Sequence, residues 1–258
     1  MPREEVDIAK ARRKIVSFIR ERVEGANADG AVVGISGGID SAVVAYLTVE
    51  AIGNRRVLGL LMPDLRVTPE EDLADARTIA DELCLETKHV DIAPLHRAFM
   101  KSLAPDRVAE GNLRARIRMT LLYYMANSTN RLVVGTGDRS EASVGYFTKW
   151  GDGGVDLLPI GDLYKSEVRK MGEVLGVSRR IVTKRSSPRL WPGQTAEDEL
   201  GASYQTIDAV LGLGGSRRKS PSAVATKLGV TTQEVQRILQ RRELTEHKRK
   251  LPEVCRVH

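Results

Sequence analysis

The apolar positions of this chain change period several times, and each change marks an element. Between Pro2 and Glu24, Val6, Ile8, Ala9, Ile15, Val16, Ile19 and Val23 recur at helical spacing with charges between them. That pattern predicts an amphipathic first helix. A polar link, Gly25 to Gly30, leads into a short apolar run, Ala31 to Ile35, which reads as a strand. Ser36 to Asp40 is a loop of small polar residues, and an apolar helix starts near Ser41 and runs to Ile52 against the sheet. A second strand covers Val57 to Met62 and stops at Pro63-Asp64. Thr68-Pro69-Glu70-Glu71 supplies an N-cap and a first-turn proline for a helix to about Leu83. Glu86 to Ile92 alternates like a further strand.

The second half begins with a helix over Gly111 to Asn127, carrying Arg114, Arg116 and Arg118. Arg131 to Thr136 reads as a strand closed by Gly135-Thr136-Gly137, and the Gly- and Asp-rich Lys149 to Asp162 reads as loop. Leu163 to Leu175 is a helix with Gly176 as its stop. Arg179 to Glu199 has two prolines and little periodicity, and reads as a mobile surface lid. A short helix over Ser203 to Leu211 and a link over Gly212 to Lys219 precede two short helices around Gly229, between Ser220 and Arg242. Strands alternating with helices at this spacing predict an α/β fold, a doubly wound parallel sheet with helices on both faces and right-handed crossovers. The expected organisation is one domain over residues 1–258, with a lid at 179–199 and a small helical segment at 220–258.

Composition narrows the function. The chain has 258 residues, 41% hydrophobic and 29% charged, as globular domains do. Its formal net charge of +6 suits an anionic ligand such as a nucleotide, and by itself would also suit RNA. Three Phe, six Tyr and two Trp make a poor base-stacking platform, so no nucleic-acid partner is expected. Cys84 and Cys255 lie far apart with no metal-binding spacing, which fits a reduced, cytoplasmic setting. No apolar run reaches membrane-spanning length, and the charged N-terminus lacks the apolar core of a signal peptide.

Chemistry concentrates first at Ala31 to Ala42, AVVGISGGIDSA. A strand-to-helix junction binds anions through free backbone N–H groups and the helix dipole. Gly37 and Gly38 allow close approach of a phosphate, and Ser36 and Ser41 add hydroxyls. Asp40 repels phosphate, and a Mg²⁺ ion between the two resolves the conflict. The loop is not a Walker A motif, because no lysine lies between Gly34 and Ser41. It is not the dinucleotide fingerprint either, because the third glycine is missing.

The loop resembles the SGGxDS pyrophosphate loop of the N-type ATP pyrophosphatases. Three further stretches narrow the resemblance: GTGDRSE, then GYFTKWGDGGVDLLPIGDLYK, then WPGQTAEDELG followed by EHKR. In this order they resemble the NAD synthetase family. The resemblance implies that ATP adenylates the nicotinate carboxylate of deamido-NAD with release of pyrophosphate, and that ammonia then expels AMP. It implies an ATP phosphate loop of Gly34, Ile35, Ser36, Gly37, Gly38, Ile39, Asp40 and Ser41. It implies Mg²⁺ on Asp40 and Glu141, and ATP contacts from Thr136, Lys165 and Ser187. It implies deamido-NAD contacts from Arg116, Lys149, Asp156, His247 and Lys248, with Arg114 or Arg118 as alternatives to Arg116 on one helix. Asp40 and Lys165 then stand nearest the chemistry, and Asp152 is the candidate to take a proton from ammonium.

The family implies a homodimer, with the first helix and the Gly111 to Asn127 helix as interface surfaces. Glutamine-dependent members carry an amidase domain with a catalytic cysteine. Neither cysteine here has a nucleophile setting. Free ammonia is therefore the expected donor, no glutaminase domain is expected, and a separate glutaminase partner stays open. Three other readings remain. One is another adenylating pyrophosphatase, such as a tRNA-modifying one, against which Gly145 to Lys165 argues. A second is a non-catalytic nucleotide-binding module, which would not need both Asp40 and Glu141. The third is a DNA-binding regulator built on the helix-turn-helix-like Ser222 to Gln240.

Overall fold

The computed structural model describes residues 6–214 and 220–257. Four parallel strands form the sheet: β1 (Gly30–Gly34), β2 (Val57–Leu61), β3 (Glu86–His89) and β4 (Arg131–Val134), in the order β3-β2-β1-β4. β1 pairs β2 on one side and β4 on the other. The chain therefore winds outward from β1 in one direction and then in the other. The crevice beyond the C-terminal ends of β1 and β4 is the switch point, where open α/β sheets bind ligands.

Helices cover both faces. α1 (Ile8–Gly25), α2 (Ile39–Ile52), α3 (Glu70–Glu82), α4 (Ala93–Met100) and α5 (Arg107–Ser128) precede β4. α6 (Arg139–Val144), α7 (Lys165–Leu175), α8 (Arg179–Thr183), α9 (Ala196–Leu200), α10 (Tyr204–Gly214), α11 (Pro221–Leu228) and α12 (Thr232–Leu244) follow it. The period of two in the strands sorts their side chains. Ala31 and Val33 face a core shared with α1, α2 and α7, while Val32, Leu58, Leu60 and Val133 face α5. A third cluster, with Ile207, Val210, Val224, Val235 and Ile238, joins α10, α11 and α12 to Val144 and Tyr164. The C-terminal helices thus have a core of their own beside the sheet domain.

Several boundaries differ from the periodicity reading. α2 starts at Ile39, one turn-half earlier than Ser41, because Gly38 is its extended N-cap. β3 stops at His89, since Asp91 accepts a hydrogen bond from Ala93 N at 2.9 Å and starts α4. α4 had no periodic signal in so short a stretch. α5 begins four residues before Gly111, capped by Asp106, which accepts from Ala109 N at 2.7 Å. Within the expected loop at 149–162, Leu157 bridges Val134 in parallel and extends the sheet edge beyond β4. The segment 179–199 contains α8 and most of α9 and buries Ile181, Val182, Gln194 and Ala196. The expected link at 212–219 lies largely outside the described residues. Among the described residues, no helix is long and apolar enough to cross a membrane.

Candidate active site

A cavity of about 410 Å³ opens at the switch point. Gly34, Ile35, Ser36, Gly38, Ile39, Asp40 and Ser41 form its floor, and Thr136 and Glu141 stand beside them. The loop after β1 is tied internally. Ser41 Oγ donates to Gly38 O at 2.9 Å and lies 3.0 Å from Ser36 Oγ. Gly37 has φ +79, and a Cβ there would lie 2.1 Å from the Asp72 carbonyl oxygen of α3. Only glycine fits a loop pressed so closely onto a helix.

Asp40 and Glu141 come from opposite sides of the crevice and meet on one cation. Lys165 Nζ donates to Asp40 Oδ1 at 2.7 Å and to Glu141 Oε1 at 3.0 Å, and it lies 3.0 Å from Asp138 Oδ2. Lys165 and Asp138 are fully buried, whereas Asp40 and Glu141 keep 21% side-chain exposure toward the cavity. Three carboxylates thus share one ammonium. Burial and mutual repulsion push Glu141 well above the usual carboxylate range, against the pull of Lys165. Burial likewise lifts Asp138 to about 6. The carboxylates hold the ammonium of Lys165 firmly protonated, although burial alone opposes its charge.

The cluster is built by two helix starts. Asp138 caps α6, accepting from Glu141 N at 2.8 Å, and Glu141 Oε2 reaches back toward Asp138 N. This capping box leaves Glu141 Oε1 free to face Lys165. Lys165 opens α7, and its backbone N–H donates to Ser140 Oγ at 2.9 Å. Ser140 in turn bonds Asp208, which also accepts from Ser166 N at 3.0 Å. Asp208 on α10 therefore locks α6 and α7 together. Asp138 was not foreseen, yet the D-x-x-E of GDRSE is a capping-box signature.

The donor set suits a hard divalent cation. Asp40 and Glu141 offer carboxylate oxygens to the cavity within reach of the same Nζ, and the cluster has excess negative charge. A Mg²⁺ there would complete its shell with waters and phosphate oxygens.

The remaining expected residues divide into two groups. Ser187, Asp152 and Lys248 line the cavity. Ser187 Oγ donates to Gln194 O at 2.6 Å, and Asp152 accepts from Thr148 N at 2.8 Å. Lys248 Nζ donates to Gly145 O and Phe147 O, both at 2.8 Å. Lys165, expected to meet ATP, does not line the cavity and stands behind the carboxylates. A second cation, Lys184, reaches the backbone of the phosphate loop, its Nζ donating to Gly37 O at 3.1 Å.

Arg116, Lys149 and His247 also stay off the cavity wall. They meet one another instead: Arg116 donates to Lys149 O at 3.3 Å, and Lys149 Nζ donates to His247 O at 2.7 Å. Asp156 is occupied by the sheet edge, accepting from Val133 N at 2.8 Å and Tyr123 Oη at 2.9 Å. Of the α5 arginines, it is Arg118 that lines the cavity. It donates to Met62 O at 3.0 Å, and burial lowers its pKa to about 10. Arg114 is spent on Asp64, whose buried carboxylate takes Arg114 Nε at 2.8 Å and Arg66 Nη2 at 2.8 Å. His96 fills the same network, with Nδ1 3.1 Å from Arg66 Nη2. Helical spacing alone could not choose among residues 114, 116 and 118.

A parallel α/β sheet with an anion loop, a carboxylate pair and a cation at its switch point defines a nucleotide-dependent enzyme. The chain belongs to the NAD synthase family, whose profile matches residues 11–252. It is 51% identical to the NH(3)-dependent NAD(+) synthetase of Hyperthermus butylicus over 250 residues, 96% of this chain and 91% of that one. A solved NMN synthetase from Francisella tularensis is 36% identical with a TM-score of 0.86, covering 97% of this chain and 99% of that one. The NH3-dependent NAD synthetase of Campylobacter jejuni is 32% identical with a TM-score of 0.81, covering 97% and 100%.

Proposed function

We propose that this chain makes NAD from deamido-NAD, ATP and ammonia. One observation carries the reading: the phosphate loop after β1 and the 136–165 segment converge on a single cavity, where Asp40 and Glu141 meet on Lys165. Relatives of the same activity about half identical over nearly the whole length support it.

A carboxylate is a poor electrophile, and ammonia will not displace oxide from it. A nicotinate oxygen therefore attacks the α-phosphorus of ATP, and pyrophosphate leaves. Ammonia then attacks the acyl carbon, loses a proton, and AMP leaves. The protein's part is to hold two polyanions in register. The N–H groups and hydroxyls of residues 36–41 cradle phosphate oxygens, and Thr136 and Ser187 add hydroxyls from the walls. Asp40 and Glu141 would hold Mg²⁺, which supplies charge neutralisation and polarises the phosphates. Arg118, rather than Arg116, faces the acceptor's negative charge within one chain. Asp152 stands on the cavity wall to accept a proton from ammonium.

The same reading extends to a homodimer. Phe99, Leu103, Val108 and Tyr124 are 54%, 53%, 58% and 69% exposed along α4, α5 and the link between them, more apolar surface than a lone subunit needs. Arg116, Lys149 and His247 sit on the outside, where a second subunit's dinucleotide would find them. Exposed, unpaired Cys84 and Cys255 fit a reducing cytoplasm.

The test is a product assay with ATP, Mg²⁺, deamido-NAD and ammonium. NAD in step with AMP and pyrophosphate, without glutamine, is the expected result. AMP and pyrophosphate without NAD would move the acceptor to another class. The Francisella relative favours one second reading, nicotinate mononucleotide as acceptor. Competition of the two acceptors for limiting enzyme separates them.

A further inference from the structure

The 179–199 segment carries a cation with two buried anions waiting for it. Asp72 and Asp75 lie on α3, 4% and 1% exposed, facing the phosphate loop rather than solvent. Lys184 Nζ donates to Asp72 Oδ1 at 2.8 Å, bonds Asp75, and donates to Gly37 O at 3.1 Å. Arg189 Nε adds a bond to Asp72 Oδ2 at 2.6 Å, and Arg180 pairs with Asp75. Three cations of one segment thus clamp two aspartates of another.

The contact with Gly37 matters most. In a planar trans peptide the carbonyl and the following N–H point in opposite directions. A cation that holds Gly37 O on the α3 side therefore turns Gly38 N–H the other way, toward the loop interior, where it lies 3.4 Å from Ser36 Oγ. That interior is where a phosphate would sit. Gly37 sits against α3 with no room for a side chain: a Cβ there would lie 2.1 Å from Asp72 O. We propose that Lys184 is a positioning residue for ATP: held by Asp72 and Asp75, it fixes the Gly37–Gly38 peptide so that Gly38 N–H faces the β- and γ-phosphates. Lys184 acts through the peptide. The segment carrying it also reaches α5, where Leu190 and Trp191 pack at Gly111. Closing the segment and aiming the phosphate loop are then one event.

This inference rests on the ATP reading of the loop, and the experiment separates the two. Binding of ATP and of AMP, each with Mg²⁺, is measured by calorimetry on the whole protein for wild type, Lys184→Met, Lys184→Arg and Asp75→Asn. Lys184→Met should bind ATP about tenfold more weakly, the scale of one charged hydrogen bond. Its AMP affinity should stay within about twofold, which also reports an intact fold. Lys184→Arg should recover most of the ATP affinity, and Asp75→Asn should fall between. Equal loss for ATP and AMP would reduce Lys184 to a structural tie and overturn the proposal, as would unchanged ATP binding. Wild-type protein that binds neither nucleotide would instead overturn the ATP reading beneath it.

Discussion

The ammonium of Lys165 lies 2.7 Å from Oδ1 of Asp40, although 125 residues separate them in the chain. Glu141 and Asp138 complete the set around that ammonium. Three carboxylates gathered on one largely buried positive charge cannot be optimal for folding. The arrangement makes sense as a site prepared for a further cation.

Replacing the pair members should separate function from stability. Asp40→Asn and Glu141→Gln should each lower kcat roughly a hundred- to a thousandfold, as removal of a preorganised electrostatic group does. Glu141 is raised in the folded state, so its ionisation opposes folding at neutral pH. The ligand-free Glu141→Gln protein should therefore melt no lower than wild type. A clear drop in Tm would mean that the cluster is a stabilising ion network rather than a binding site.

The α5 arginines differ in reach, and steady-state kinetics can read the difference. Arg118→Met should raise KM for deamido-NAD roughly 10- to 100-fold, the loss of one charge-assisted contact. Arg116→Met should leave the contacts of the cavity wall intact. If dimerisation brings Arg116 to the partner's substrate, its effect will appear only under conditions where light scattering finds a dimer.

Gly37→Ala tests the closeness of the loop to α3. The residue has φ +79, and a methyl group would press on Asp72 O. The left-handed conformation alone costs roughly 1–2 kcal/mol for alanine. ATP affinity should fall more steeply than global stability, because α3 can recoil and carry the loop out of register. Calorimetric binding and thermal melting on the same sample give the two numbers.

Asp64 supplies a pH dependence with a definite sign. Burial alone would raise its carboxyl, but hydrogen bonds from Arg66 and Arg114 hold it below the usual carboxylate range. A depressed folded pKa stabilises above the unfolded value near ~4 and is lost as pH falls through the folded one. Asp64→Asn should cost about 3 kcal/mol at pH 7, because two arginines lose their partner. The gap to wild type in urea denaturation should begin to close below pH ~4 and vanish at lower pH. A gap unchanged into strong acid would show that Asp64 acts by packing alone.

Local sequence determined a large part of this protein. Continuous apolar runs at Ala31 to Ile35 and Val57 to Met62, with helical spacing between them, already point to a parallel sheet covered on both faces. Small residues in SGGIDS can serve a phosphate loop because backbone freedom and helix starts are local properties. Asp40 stood out as a carboxylate in a loop of small residues, whereas Glu141 and Thr136 came from the resemblance of GTGDRSE to a known family; all three line the cavity. What only the tertiary structure decided concerns partners distant in the chain. Periodicity cannot tell which of Arg114, Arg116 and Arg118 turns inward, since that depends on the pitch at which α5 crosses the sheet. It cannot show Lys165 withdrawn behind three carboxylates, or Lys184 taken up by Asp72 and Asp75. Those choices follow from where α3, α6 and α7 come to rest, and charge pairing across more than a hundred residues leaves no periodic trace in the sequence.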